Sequence, residues 1–169
     1  IRTRRQGAAA RAGHDLVIEA TRWTATVRVD AAGPAGSSLA AIIDAASLVV
    51  REASGGALPI TEGQKDEIAK TTRTKVLHAD KNPEIKATST AVTATGDGAE
   101  ITLDLVIAGK SRPATLVVHV AEDGDGVTVT GSTTVCQTDF GITPYSALFG
   151  TLKVRDEVEI TVEVRLPAS

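Results

Sequence analysis

Alternation of apolar and polar residues at period two constrains this chain more than any other feature. Val158, Ile160, Val162, Val164 and Leu166 alternate with Glu159, Thr161, Glu163 and Arg165. Ile101, Leu103, Leu105 and Ile107 alternate with Thr102 and Asp104 in the same way, and Val127 and Val129 with Thr128 and Thr130. Trp23, Ala25, Val27 and Val29 stand against Thr24, Thr26, Arg28 and Asp30. Successive side chains of a strand point to opposite faces, so each run predicts a strand with one apolar and one wet face.

Turn residues space these runs regularly. Gly96-Asp97-Gly98 separates a strand near 86–95 from one near 99–108, and Gly109-Lys110 separates the latter from 112–121. Asp123-Gly124-Asp125-Gly126 leads into 127–136. Connections this short make antiparallel hairpins, and hairpins in series make a meander. Gly36 to Ser38 and Gly141 to Gly150 mark further breaks.

One segment departs from the pattern. Thr61-Glu62-Gly63-Gln64 has the spacing of a capping box, so Glu62 to about Thr74 is predicted as a helix. It is polar, with Ile68 and Ala69 among its few apolar residues, which suits a lid or plug that gates one end of the fold. Glu52 to Leu58 reads as loop, and Asn82-Pro83 starts the next strand.

The expected architecture is therefore all-β: a single domain over residues 1–169 of roughly eight antiparallel strands with one helix in a long connection. It is an up-and-down β-barrel or a sandwich, with long strands and short hairpins favouring the barrel. A barrel removes the unpaired edges that an open sheet exposes, and eight strands leave room for packed side chains or for one ligand. Aromatic residues make up 2% of the chain, so Val, Ile, Leu and Ala must fill any interior. Such thin side chains either close a solid aliphatic core or leave a hollow.

Composition excludes several functions. The formal net charge of -3 gives no basic face for nucleic acid. Arg2, Arg4, Arg5 and Arg11 do cluster near the start without an acid, which suits a solvated strand or an anionic head group. Cys136 is the single cysteine, so no internal disulfide forms. The longest wholly apolar stretch, Leu39 to Ile43, is too short to span a bilayer. No charged n-region, apolar h-region and cleavage site stand at the start, so a soluble, cytoplasmic protein is expected; a chain beginning at Ile1 leaves export open.

Enzymatic motifs are absent. There is no Gly-x-Ser-x-Gly elbow, no His-Glu-x-x-His, no Cys-x-x-Cys and no phosphate loop after Gly55-Gly56. Asp123 and Asp125 lack the later ligands of a calcium loop. His14 reads as a structural hydrogen-bonding residue, and His119, between Val118 and Val120, points outward. No catalytic residue, metal or cofactor is expected.

Several segments resemble the YceI-like family of polyisoprenoid- or lipid-binding proteins. Gln137-Thr138-Asp139-Phe140-Gly141-Ile142 resembles the family's Asp-Phe-Gly-Ile segment. Arg155-Asp156-Glu157-Val158 resembles its entry to the last strand, and Ile107 to Leu116 its Gly-Val-Thr-Arg-Pro hairpin. Ile43 to Leu48, Asn82-Pro83-Glu84-Ile85 and Gly13-His14-Asp15-Leu16 match further stretches in order. The family's aromatic pair after the helix is replaced here by Val76 and Leu77. The resemblance implies an eight-stranded antiparallel up-and-down β-barrel, lipocalin-like, that holds a long isoprenoid or other lipid in its lumen, in a family whose members are often homodimers and often exported.

Burial alone binds such a ligand, since each methylene removed from water contributes about 0.8 kcal/mol. The expected walls are Trp23, Val27, Leu103, Leu105, Val118, Val129, Ile160 and Val162, with Phe140, Ile142 and Phe149 at the mouth. Ordinary core packing is the competing reading of each. It leads to two rival functions: a structural or interaction protein with a filled barrel, or an enzyme on a bound lipid with His14 or Tyr145 at the tunnel.

Overall fold

The computed structural model describes residues 1–122, 124 and 126–167. Asp123 and Asp125, part of an expected turn, lie outside the described residues. The first strands are β1 (Arg2–Thr3), β2 (Arg5–Gln6), β3 (Asp15–Ala20), β4 (Trp23–Arg28), β5 (Ser38–Asp44) and β6 (Leu48–Ser54). Helix α1 (Glu62–Thr71) follows, and a π-turn, Thr72–Val76, continues it. The meander is β7 (Glu84–Ala94), β8 (Gly98–Ile107), β9 (Lys110–Glu122) and β10 (Gly126–Cys136). Short β11 (Ser146–Ala147) and β12 (Leu152–Val154) precede the last strand, β13 (Glu157–Pro167).

The main sheet is antiparallel and curled, in the order β4-β5-β7-β8-β9-β10-β13-β1-β3-β6. It holds ten strands where eight were expected, because two long strands of the N-terminal hairpin each break in the middle. Thr21–Arg22 separates β3 from β4, and a single 3₁₀ turn, Ala45–Ser47, separates β5 from β6. Hydrogen bonds continue across the break: Thr21 N–H donates to Ser47 O (3.2 Å) and Asp44 N–H to Arg22 O (3.0 Å). Beyond it the outer partners change, β5 pairing with β7 and β3 with β1. A separate three-stranded sheet, β11-β12-β2, was not anticipated.

Asp44 holds the bend. Its carboxylate accepts from Arg22 Nε (2.9 Å) and Nη2 (2.6 Å) and from the Ala46 N–H (2.7 Å). The Arg22 hydrogen bonds, then the Ala46 N–H, keep its carboxyl below the ordinary carboxylate range. A lowered folded pKa contributes stability above the unfolded value, and that stability disappears as pH falls through the folded value. Asp44→Asn should therefore unfold at lower urea than the parent at neutral pH, with the gap narrowing below about pH 4. Equal gaps at both pH values would remove Asp44 as the source of the effect.

Helix α1 begins as its sequence predicts. Gln64 N–H donates to Thr61 Oγ1 (3.3 Å), and Thr61 N–H donates back to Gln64 Oε1 (2.8 Å). The helix packs on β6, and its Ala69 is buried. Strand directions put α1, the β8–β9 turn and the segment 137–156 at one end of the sheet. The β4–β5, β7–β8 and β9–β10 connections lie at the other.

The core sits at the helix end. Ile18, Leu48, Val50, Leu105, Ile107, Val135 and Val158 from the sheet meet Ala69 and Leu77 from the helical excursion and Phe140 and Ile142 from the turn after β10. Leu48, with 1% of its surface exposed, is the most enclosed large side chain. The helix thus closes this end as part of the core.

Candidate ligand-binding face

Register pairing traces one face across the sheet. Residues paired in an antiparallel ladder point the same way. Val27 pairs with Leu39, Ala25 with Ala41 and Trp23 with Ile43. Ala41 then pairs with Ala87, and Ala87 with Leu105. Leu103 pairs with Ala114, and Ala99 with Val118. Val118 pairs with Gly131, and Val120 with Val129. Gly131 pairs with Val162, and Thr133 with Ile160. This face also carries the core, so it is the concave side of the curl, and it is apolar almost throughout.

Its burial changes along the strands. Leu103 and Leu105 are buried. Farther from α1, Val118, Val129, Ile160 and Val162 are half-buried. Toward the opposite end, Val120 is 46% and Leu166 50% exposed. Trp23 (42%) and Val27 (63%) are exposed for another reason: β4 is an edge strand open on both faces. Apolar side chains meeting across a solid centre would be buried at every level. Here the helix end is packed and the other end opens to solvent.

The predicted wall residues therefore divide. Leu103 and Leu105 belong to the packed end, Val118, Val129, Ile160 and Val162 to the middle, and Trp23 and Val27 to the exposed edge strand β4. Phe140 and Ile142 are not at a mouth: both are buried in the core, because the turn after β10 folds under the sheet. Phe149 is away from this face and wholly exposed on the loop between β11 and β12. Sequence reasoning missed the row Ala25, Ala41 and Ala87, which contributes only methyl groups to the concave side. The alternation contained these residues, but alanine is a weak apolar signal.

Two surface clefts do not belong to this face. One, of about 450 Å³, is lined by Arg2, Arg155, Glu159, Ser132 and Thr134. The other, of about 650 Å³, follows the bend at Arg22, Ile42 and Asp44 and is bordered by the edge of Trp23.

The polar candidates are engaged elsewhere. His14 Nε2 is 2.8 Å from Leu58 O, the structural hydrogen bond expected of it. His119 points outward as predicted, with Nδ1 2.8 Å from Asp97 Oδ2. Desolvation raises the Cys136 thiol pKa, and Asp139, Asp156 and Glu157 raise it further, which disfavours the reactive thiolate. Tyr145 is about half exposed, beside the small sheet. Among the described residues no group of three or more His, Cys, Asp and Glu is placed to hold a metal, and no helix is long and apolar enough to cross a membrane.

The family model for the YceI-like domain matches residues 8–166. Among solved structures, Burkholderia cenocepacia BcnA superposes with a TM-score of 0.61 at 21% identity, over 86% of each chain. A Campylobacter jejuni YceI protein, one that crystallizes with large solvent channels, gives 0.60 at 18% identity, over 90% of this chain and 85% of its own. At these identities the likeness carries the fold alone. Comparison with curated proteins gives no match.

Proposed function

The chain belongs to the YceI-like family, a family known as polyisoprenoid-binding, and on that premise we propose that it carries a long apolar chain on its concave face. The observation that supports this most directly is the gradient of burial along one continuous apolar face, on β9 from Leu116 at 9% exposed through half-buried Val118 to Val120 at 46%. An isoprenoid tail laid along it would cover the exposed part and stop against the core.

In this reading the wall closes into a ring. Counting β3 with β4 and β5 with β6 as single bent strands, and adding β1, β7, β8, β9, β10 and β13, gives eight. The hydrogen bonds across both breaks support that count. Ten buried methylenes contribute about 8 kcal/mol gross against an association cost of about 4–15 kcal/mol, so tight binding requires a long chain. No polar motif is needed to mark such a site.

A filled, ligand-free barrel would need the packing at the helix end to extend to the opposite rim, and the exposure of Val120 and Leu166 argues against it. Trp23 is the only tryptophan and lies on the concave face, so it reports occupancy. Isoprenoid alcohols of increasing length should shift its fluorescence to the blue, with affinity rising with chain length and native mass spectra showing one chain per protein. An unmoved emission band together with only ligand-free mass would end the proposal.

A further inference from the structure

We propose that the loop between β11 and β12 is a docking tip for an anionic lipid bilayer, with Leu148 and Phe149 entering the head-group region. Phe149 is wholly exposed, at 109% of its reference surface, and Leu148 and Tyr145 are 53% and 52% exposed. Both Leu148 (φ 51°) and Phe149 (φ 55°) adopt the left-handed backbone conformation that residues with a side chain rarely take. Two such residues in succession turn large apolar groups outward, where they gain no packing in return.

The tip is held in place. Thr151 N–H and Oγ1 both donate to Leu148 O (3.2 and 2.7 Å). Ala9 N–H donates to Thr151 O (2.9 Å), and Val154 N–H donates to Tyr145 O (2.9 Å). Ser146 pairs with Lys153 and Val154 with Arg5, so the three-stranded sheet acts as its base.

Charge selects the occupant. The sheet is built from segments 1–14 and 140–155, which together contain no Asp or Glu. They supply Arg4, Arg11, Lys153 and Arg155, all exposed and, among the described residues, without an ion pair or side-chain hydrogen bond. Arg5 is committed to Asp15 (3.8 Å) and Arg2 to Glu159 (3.7 Å). Arg155 N–H donates to Arg4 O (2.7 Å), which keeps two of the free cations side by side. Lys153 reaches the tip beside Gly150, whereas Arg4 and Arg155 stand at the other end of β12, in a cleft they share with Glu157 and Glu159. Exposed aromatic and aliphatic side chains on a sheet with unpaired cations match an anionic membrane surface: apolar groups enter the acyl boundary while cations meet lipid phosphates.

The inference does not depend on the lipid-carrying reading, because the tip is separate from the concave face. Co-sedimentation with vesicles of phosphatidylcholine and phosphatidylglycerol, in about a 2:1 ratio, tests it. The protein should pellet with these vesicles, fail to pellet with phosphatidylcholine alone, and be released by salt. The double variant Leu148→Asn/Phe149→Asn keeps residues that tolerate left-handed backbone and should bind roughly tenfold more weakly or worse. Arg4→Glu/Lys153→Glu should lose binding as well. The Trp23 response to isoprenoid alcohols should be unchanged in both, which separates failure of docking from failure of carriage. Absence of vesicle binding, or equal binding by parent and variants, would overturn the proposal. So would a concentration-dependent dimer that the Asn variant abolishes without vesicle binding, which would assign the patch to a second copy.

Discussion

Phe140→Ala is expected to lower the unfolding free energy by about 3–5 kcal/mol. Phe140 is 3% exposed and sits in the core with Leu105, Ile107, Val135 and Val158. It is one of two phenylalanines in the chain, so no neighbouring ring can swing into the space it leaves. The surrounding aliphatic side chains are fixed on hydrogen-bonded strands, and a persistent cavity is the costly outcome of a large-to-small change. Its turn is anchored as well: Thr138 N–H and Oγ1 donate to the Asp156 carboxylate (2.9 and 2.5 Å), and Gly141 ends the turn in left-handed backbone (φ 68°). Since a domain of this kind has about 5–15 kcal/mol in total, the loss is large in equilibrium denaturation. Phe149→Ala is the control, because its ring is fully exposed and should change stability by no more than about 0.5 kcal/mol. Similar losses for the two would show that Phe140 does not complete the packed end.

That contrast marks where the sequence is legible and where it is not. Period-two alternation placed β7 to β10 and β13 within a few residues, since local hairpins and a half-buried face impose the same pattern. The Thr61 and Gln64 side chains announced the start of α1 because a capping box is a local structure. Alternation reveals which face a residue occupies but not its depth, so Leu105 in the core and Val27 at the rim look alike. Read from sequence, Phe140 and Phe149 both stand at the mouth. Their separation depends on a turn that folds under the sheet and on positive φ at Phe149, neither of which a phenylalanine signals. The breaks at Thr21–Arg22 and Ala45–Ser47 were hidden by the apolar runs on either side. β2, β11 and β12 are two or three residues long, too short for any period to emerge.

Filling the concave face tests the carrier reading more sharply than deepening it. Ala41 lies between Ala25 and Ala87 in register, a row where three neighbouring strands contribute only methyl groups. Ala41→Trp should place an indole across the path of a bound chain and weaken long-chain isoprenoid binding by about 100-fold, equivalent to the loss of three or four buried methylenes at about 0.8 kcal/mol each. Stability should change little, because Ala41 is only half-buried and stands outside the core. A short isoprenoid that seats only against Val118, Val120 and Val129 should lose much less, so the penalty should grow with ligand length. Should the indole at Ala41 overpack the wall, Ala25→Trp repeats the test at a fully exposed position on the same row. Isothermal titration with a series of chain lengths reads both effects. A folded Ala25→Trp or Ala41→Trp protein that binds long chains as tightly as the parent would place the ligand somewhere other than this face, whatever the fold of the wall around it.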